Sequence, residues 1–259
     1  MDEDFNKSLS DSMETHPDFL PYLPELLVDL WDLGSAPDKI VDILRPVNLP
    51  PNSTRVLDLG CGKGAVSVLL AKTFGFQVVG IDGCEPFLEV ARQKAHEYEV
   101  ESKCEFILTD LRSYVQKACN FDIVILASLG SVLGNLAETV AKLRIALRPG
   151  GYMVIDDGFL KTENKLNRTG YAYYLSHTES IRQLISQGDS LIGEILLDDE
   201  HNRAINQRYL QAMKSRRNDL LKKYPHIRKE VDEYIRNQEI ECEIIEKNLK
   251  GVVWLVQKK

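Results

Sequence analysis

Between residues 54 and 157, short runs of almost continuous apolar residues alternate with stretches of helical spacing. The runs are 55–59, 77–82, 104–109, 121–127 and 152–155. Residues 64–74, 86–98 and 135–147 carry the helical pattern, and a shorter helix follows the third run. A segment apolar on both faces belongs inside a sheet covered on both sides, which is where parallel strands lie. Parallel neighbours need crossovers of about a dozen residues, and the intervals supply them as helices. Right-handed crossovers then wind a doubly wound α/β sheet whose ligand crevice lies at the carboxyl ends of the strands.

The rest of the chain is organised differently. Residues 1 to about 20 are polar and acidic and are expected to be mobile. The aromatic and proline-rich stretch 17–24 leads into two short amphipathic helices near 24–32 and 37–45, and Pro50-Pro51-Asn52 ends this region. Past the alternation, 177–187 reads as a helix and 190–197 and 252–256 as strands. About 50 charged residues of helical pattern lie between the two strands, broken at Tyr224-Pro225. The expected division is an N-terminal helical segment, 1–53, that could act as a lid; a sheet domain, 54–198 with 250–259; and a helical insertion, 199–249.

Charge and composition exclude several classes. The formal net charge is −7, which opposes a polyanion whose affinity comes from Lys and Arg meeting phosphates, so nucleic acid is not the expected partner. No run approaches the roughly 20 apolar residues of a membrane span, and the acidic start lacks the features of a secretory signal. The five cysteines, Cys61, Cys84, Cys104, Cys119 and Cys242, form no CxxC pair and no metal-ligand spacing. A reduced, cytoplasmic protein without a metal is the expectation.

The first apolar run ends in Asp58-Leu59-Gly60-Cys61-Gly62-Lys63-Gly64, and a helix begins at once. Glycines allow positive φ and close approach of a ligand to the backbone. The helix start adds free N–H groups and a positive dipole end. Dinucleotides and adenosyl ligands both suit such a turn, and Asp82, followed by Gly83, closes the second run where either ligand's ribose would lie. Asp58 tips the balance. A carboxylate there is awkward beside a pyrophosphate and favourable beside an ammonium or sulfonium. Asp110, closing the third run ahead of Leu111, can accept from an adenine amino group or can cap the next helix.

With its glycine turn, Phe121-Asp122-Ile123-Val124, Leu147-Arg148-Pro149-Gly150-Gly151 and Val252-Val253-Trp254-Leu255-Val256 at their intervals, the chain resembles the class I S-adenosylmethionine-dependent methyltransferases over about half its length. The resemblance implies a seven-stranded, mostly parallel sheet with an antiparallel last strand. It implies that Asp58, Gly60, Cys61 and Gly62 hold the amino-acid end of S-adenosylmethionine, Asp82 and Gly83 the ribose, and Asp110 and Leu111 the adenine side. Ala127 and Ser128 would line the sulfonium side. By analogy, helices inserted before the last strand go with a small-molecule methyl acceptor.

Methyl transfer rests on positioning, worth roughly 7–11 kcal/mol, and a hydroxyl, thiol or carbon acid also needs a base. Asp156 and Asp157 follow the fifth run at the functional edge of the sheet; a base and a helix cap are both open to them. Tyr171, with Tyr173 and Tyr174, could shape an acceptor pocket or pack the appended helices. Eight Lys and Arg between 208 and 229 read as a solvated face balanced by nearby acids. Two rivals stay open on residues alone: a NAD-dependent oxidoreductase on a related fold, and a non-catalytic S-adenosylmethionine-binding regulatory subunit.

Overall fold

A computed structural model of the chain describes residues 3–162, 166 and 171–259. In chain order its elements are α1 (Glu3–Ser12), α2 (Leu23–Leu26), α3 (Pro37–Leu44), β1 (Arg55–Leu59), α4 (Ala65–Phe74), β2 (Gln77–Asp82), α5 (Glu85–Glu97) and β3 (Cys104–Leu108). There follow α6 (Leu111–Tyr114), β4 (Phe121–Ala127), α7 (Leu136–Ala146), β5 (Leu147–Leu160), α8 (His177–Leu184), β6 (Ser190–Leu196), α9 (Asp199–Lys223), α10 (Arg228–Asn248) and β7 (Leu249–Gln257). They form two compact units, 32–196 with 251–259, and 1–31 with 197–250. The sequence reading kept 1–53 apart from 199–249; in the structure residues 1–31 group with the inserted helices and 32–53 with the sheet.

The sheet runs β3-β2-β1-β4-β5-β7-β6. Strands β1 to β5 pair in parallel, and β6 and β7 pair antiparallel. The order reverses between β1 and β4, so the crevice of a doubly wound sheet opens there. Burial explains why these runs are strands. Val56, Leu57, Leu59 and six of the seven residues 121–127 (all but Asp122) are buried, too apolar for any edge. On one face Val140, Leu143, Ala146 and Leu184 of α7 and α8 close over Leu57, Val124, Met153 and Trp254.

Strand β5 is longer than its apolar run, 152–155. It begins at Leu147, opposite Phe121, slips register, and resumes with Ile123 opposite Tyr152. Arg148-Pro149-Gly150-Gly151 therefore stops helix α7 and forms an irregular first turn of the strand. The strand's far end, to Leu160, carries Asp156 and Asp157.

The other unit is a helical hairpin of α9 and α10, turned at Tyr224-Pro225, together with α1 and α2. Residues 3–12 are helical, against the expectation of a mobile start; Phe5, Leu9 and Met13 recur at a four-residue interval, which gives that helix an apolar stripe. Phe19 and Leu23 are buried, and Tyr22 packs its ring 4.8 Å from Tyr224 and hydrogen-bonds His226 at 3.1 Å. At least five of the eight basic residues between 208 and 229 form ion pairs with acids, in line with the expected balance. Arg216 forks onto Asp29, Arg217 pairs Asp232, Lys214 pairs Glu239 and Lys223 pairs Glu25. No helix among the described residues is long and apolar enough to cross a membrane.

Candidate functional site

Strand β1 delivers Asp58 to the rim, and the chain then turns sharply through Gly60, Gly62 and Gly64, whose φ values are +67°, +51° and +76°. A side chain at 60 would meet Leu129 Cδ1 at 2.3 Å, and one at 62 would meet Leu33 Cδ1 at 3.0 Å. The left-handed φ favours glycine at both places; Leu129 crowds the first closely, while the Leu33 Cδ1 met at the second is the movable end of a side chain. The turn is tied to the next strand, since Cys61 N donates to Ile81 O at 2.9 Å.

Asp82, at the end of β2, is held wholly by backbone. Its Oδ2 accepts from Gly62 N and its Oδ1 from Cys84 N, both at 2.8 Å, and Gly83 N also donates to it. A carboxylate has about four acceptor positions, so one remains for an incoming hydroxyl. Burial raises its pKa, and those backbone donors work against the rise. Asp58 is 2% exposed and accepts from Ser67 Oγ at 2.6 Å; burial, with Asp82 nearby, pushes its pKa up to about 6. Two buried carboxylates on either side of one turn make a crevice that favours a cation and hydrogen-bond donors. Lys63, which the sequence reading passed over, is also buried here, with Nζ 5.5 Å from the Phe87 ring centroid. The clue was available: a lysine inside a glycine turn flanked by two acids.

Asp110 behaves as a helix cap. It accepts from Arg112 N at 2.8 Å, and the Arg112 guanidinium reaches both its oxygens, Nη2 to Oδ2 at 2.6 Å; these bonds hold its pKa down. Leu111 packs against the core.

The β4 and β5 end of the rim is built from distant segments. Ala127 is buried, and Ser128 takes a left-handed φ of +54°. Ser128 N donates to Asp156 O, and its Oγ to Gly34 O, both at 2.9 Å. Ala36 N donates to Asp156 Oδ2 at 2.7 Å. Residues 33–36 thus pass over Gly62, Ser128 and Asp156, the ends of three strands, and Leu33 itself has φ +46°. Nothing in the local pattern of 33–36 signals this crossing. Burial lifts Asp156 to about 7 against the pull of the Ala36 donor.

Asp157 accepts from Gly158 N at 2.8 Å and from the Tyr174 and Tyr173 hydroxyls; burial raises it to about 6. Tyr173 stacks on Tyr174 at 4.3 Å, and Tyr171, itself buried, lies 5.5 Å from Tyr174. The three tyrosines therefore gather at Asp157. A small void of about 20 Å³, room for a single water, lies beneath them, lined by Leu126, Leu136, Ile155 and Trp254 and by the hydroxyl-bearing Thr139 and Ser180. The histidines do not converge: His177 pairs with Glu194 at 2.8 Å, His96 lies on α5, and His16, His201 and His226 belong to the helical unit. Among the described residues no group of three or more His, Cys, Asp or Glu could hold a metal ion.

A family model described as a methyltransferase domain matches residues 56–151, from β1 into β5. The ubiquinone biosynthesis O-methyltransferase of Aromatoleum aromaticum is 32% identical over 184 residues, 68% of this chain and 75% of that protein. The uncharacterized protein YjhP of Escherichia coli is 30% identical over 123 residues, and there the chain spans about half of the relative, 48%. A methyltransferase from Geobacter sulfurreducens, solved in complex with S-adenosyl-L-homocysteine, superposes with a TM-score of 0.76 at 22% identity, covering 92% of this chain and 97% of that one. The nicotinamide reading is set aside. The chain belongs to the class I S-adenosylmethionine-dependent methyltransferases and is an enzyme that draws its methyl group from S-adenosylmethionine.

Proposed function

We propose that this methyltransferase acts on a small molecule, and that the rim from β1 to β5 divides into a cofactor half and an acceptor half. The observation that carries the cofactor half is the pair Asp58 and Asp82, buried on either side of a turn whose glycines take left-handed φ. S-adenosylmethionine supplies an activated methyl group on a sulfonium. Asp58 and the backbone of Gly60, Cys61 and Gly62 receive its amino-acid end. Asp82 and Gly83 receive the ribose diol, the start of α6 (Asp110, Leu111) borders the adenine, and Ala127 and Ser128 face the sulfonium. The buried carboxylates offset the cation's charge as it binds, and the closed backbone holds it in line for attack.

A small acceptor is supported by two things. The formal charge of −7 disfavours a nucleic acid, and the relative from Aromatoleum aromaticum is named for ubiquinone biosynthesis. The test is a labelling experiment. The purified protein, with methyl-labelled S-adenosylmethionine, is added to a cell extract split by filtration into small molecules and macromolecules. Label is expected in the small-molecule fraction. Label confined to protein or nucleic acid would overturn the proposal.

A further inference from the structure

Two leucines from distant segments crowd the glycine turn. The atoms nearest a Cβ placed on Gly60 belong to Leu129, with Cδ1 at 2.3 Å, and those nearest one on Gly62 belong to Leu33, with Cδ1 at 3.0 Å. Leu129 follows β4 and packs its half-buried side chain against the core. Leu33 is half-buried ahead of α3. The backbone proposed to receive the cofactor's amino-acid end therefore meets an apolar side chain at each of two glycines.

Local preference holds neither leucine in place. Leu33 has φ +46°, and Ser128, the residue before Leu129, has φ +54°. Non-glycine residues keep such a backbone only where surrounding contacts fix it, and they cluster at active sites and ligand clamps. The fixing contacts are present. Ser35 N and Oγ both donate to Asp32 O, at 3.0 and 2.7 Å, which closes 32–35 into a turn. Ser128 Oγ donates to Gly34 O at 2.9 Å, and Ala36 N to Asp156 Oδ2 at 2.7 Å. Beyond Ala36, α3 buries Ile40, Val41, Ile43 and Leu44. One bond thus joins the segments of the two strained residues, and Asp156 ties the whole to the end of β5. A base and a helix cap were both open to Asp156 on sequence. It is 3% exposed and spends Oδ2 on a residue 120 positions away.

We propose that Leu33 and Leu129 pack on the amino-acid arm of S-adenosylmethionine, and that Asp156 and Ser128 are positioning residues that hold Leu33 there. This rests on the cofactor half of the rim being as proposed above. The arm is charged at its far end and apolar along its methylene stem. Asp58 and the N–H groups of the turn answer the charge, and the two leucines cover the stem. Water kept out by the leucines leaves those polar contacts in a medium of lower dielectric, where they are stronger. Asp156 acts on the cofactor through Ala36, from the opposite end of the rim.

The probes are S-adenosylhomocysteine, which carries the arm, and methylthioadenosine, which keeps the sulfur and lacks the arm. Both are titrated by calorimetry into the full chain and its variants. Leu33→Ala should weaken S-adenosylhomocysteine by about tenfold, the worth of roughly two buried methyl groups. Its affinity for methylthioadenosine should not change. Asp156→Ala removes the acceptor for Ala36 N and should weaken S-adenosylhomocysteine by about fivefold, again sparing methylthioadenosine. Asp156→Asn keeps an acceptor and should restore the wild-type value. General loss of stability would produce neither that rescue nor the split between ligands. Should Asp156→Ala fail to fold, judged by circular dichroism, Ser128→Ala breaks the neighbouring bond to Gly34 and should show the same split. Equal weakening of both ligands by Leu33→Ala, or of neither, would overturn the contact with the arm. Wild-type affinity in Asp156→Ala, or no rescue by Asp156→Asn, would overturn the positioning role. Failure of both ligands to bind wild type would instead strike the cofactor half itself.

Discussion

The two halves of the rim use the same group, a buried carboxylate at a strand end, and hold it in opposite ways. In the cofactor half Asp82 is fixed by N–H groups of Gly62, Gly83 and Cys84, and Asp58 by Ser67 nine residues away. In the acceptor half Asp156 is fixed by Ala36, 120 residues distant, and Asp157 by phenols in the segment after β5. The first arrangement is written into a strand, a turn and a helix that follow one another in the chain. The second is assembled from separate pieces of chain.

The comparison is most sharply broken by adding one methyl group to each half. At Gly64 a Cβ would lie 2.8 Å from Ala91 Cβ and 3.2 Å from Ala91 Cα, on the body of α5, and φ is +76°. Strain and overpacking together should make Gly64→Ala cost about 2–6 kcal/mol of stability. At Gly130 φ is +52°, but the obstacle is the Tyr173 hydroxyl, the far end of a side chain that can swing away. Gly130→Ala should therefore cost only the backbone strain, about 1–3 kcal/mol. Urea midpoints of the two variants measure the difference. Equal losses would mean that the acceptor half is as rigid as the cofactor half.

The pH dependence of stability separates the carboxylates next. Asp156 has a folded pKa of about 7 against 3.8 for the free group, so the folded state holds its proton more tightly than the unfolded chain. Its stability is full below about pH 4 and is lost as pH rises through 7. Asp156→Asn keeps an acceptor for Ala36 N and removes the charge. It should match wild type near pH 4 and exceed it at pH 8, by up to about 4 kcal/mol for a carboxyl raised from 3.8 to about 7. Denaturant midpoints at the two pH values check this, and identical curves would mean that Asp156 is ionised as folded without penalty.

Asp82→Ala should lower the affinity for S-adenosylhomocysteine by roughly 10- to 150-fold, for the loss of hydrogen bonds worth about 1.5–3 kcal/mol. Calorimetry at constant fold, judged by circular dichroism, provides the measurement. Retained affinity would take Asp82 out of the ribose site.

These contrasts follow how legible each part was. The parallel strands and the glycine turn were readable because period, burial and turn chemistry all lie within a few residues: 121–127 is strand from end to end as its apolar run indicates. Asp82 was readable because it closes such a run. The crossing of 33–36 over Ser128 and Asp156 was not, since Leu33 at φ +46° and Ser128 at φ +54° are held there by long-range contacts that no local preference announces. Tyr171, Tyr173 and Tyr174 could be read as pocket or as packing; choosing needed the position of Asp157. Helix α1 was missed because its apolar stripe is thin beside its charges, and the long helices of its unit, α9 and α10, lie some 200 residues on.

Asp110 supplies the smallest effect and the finest distinction. The family resemblance sets it beside the adenine, while its side chain caps α6 and is clamped by Arg112. Removing the clamp with Arg112→Ala leaves the backbone cap in place, so stability should fall by no more than about 1 kcal/mol, as for other partly exposed pairs. The consequence for binding depends on which partner Asp110 serves. If it serves the helix, the affinity for S-adenosylhomocysteine should stay within about twofold, and that is the expected result. A freed carboxylate able to turn to the adenine amino group would instead gain a hydrogen bond worth about 0.5–1.5 kcal/mol, or roughly two- to tenfold in affinity. Such a gain would place Asp110 in the cofactor half on the same footing as Asp82, with Arg112 as the group that restrains it. An unchanged value leaves the adenine edge to the backbone at the start of α6, as the backbone of Gly62, Gly83 and Cys84 holds Asp82.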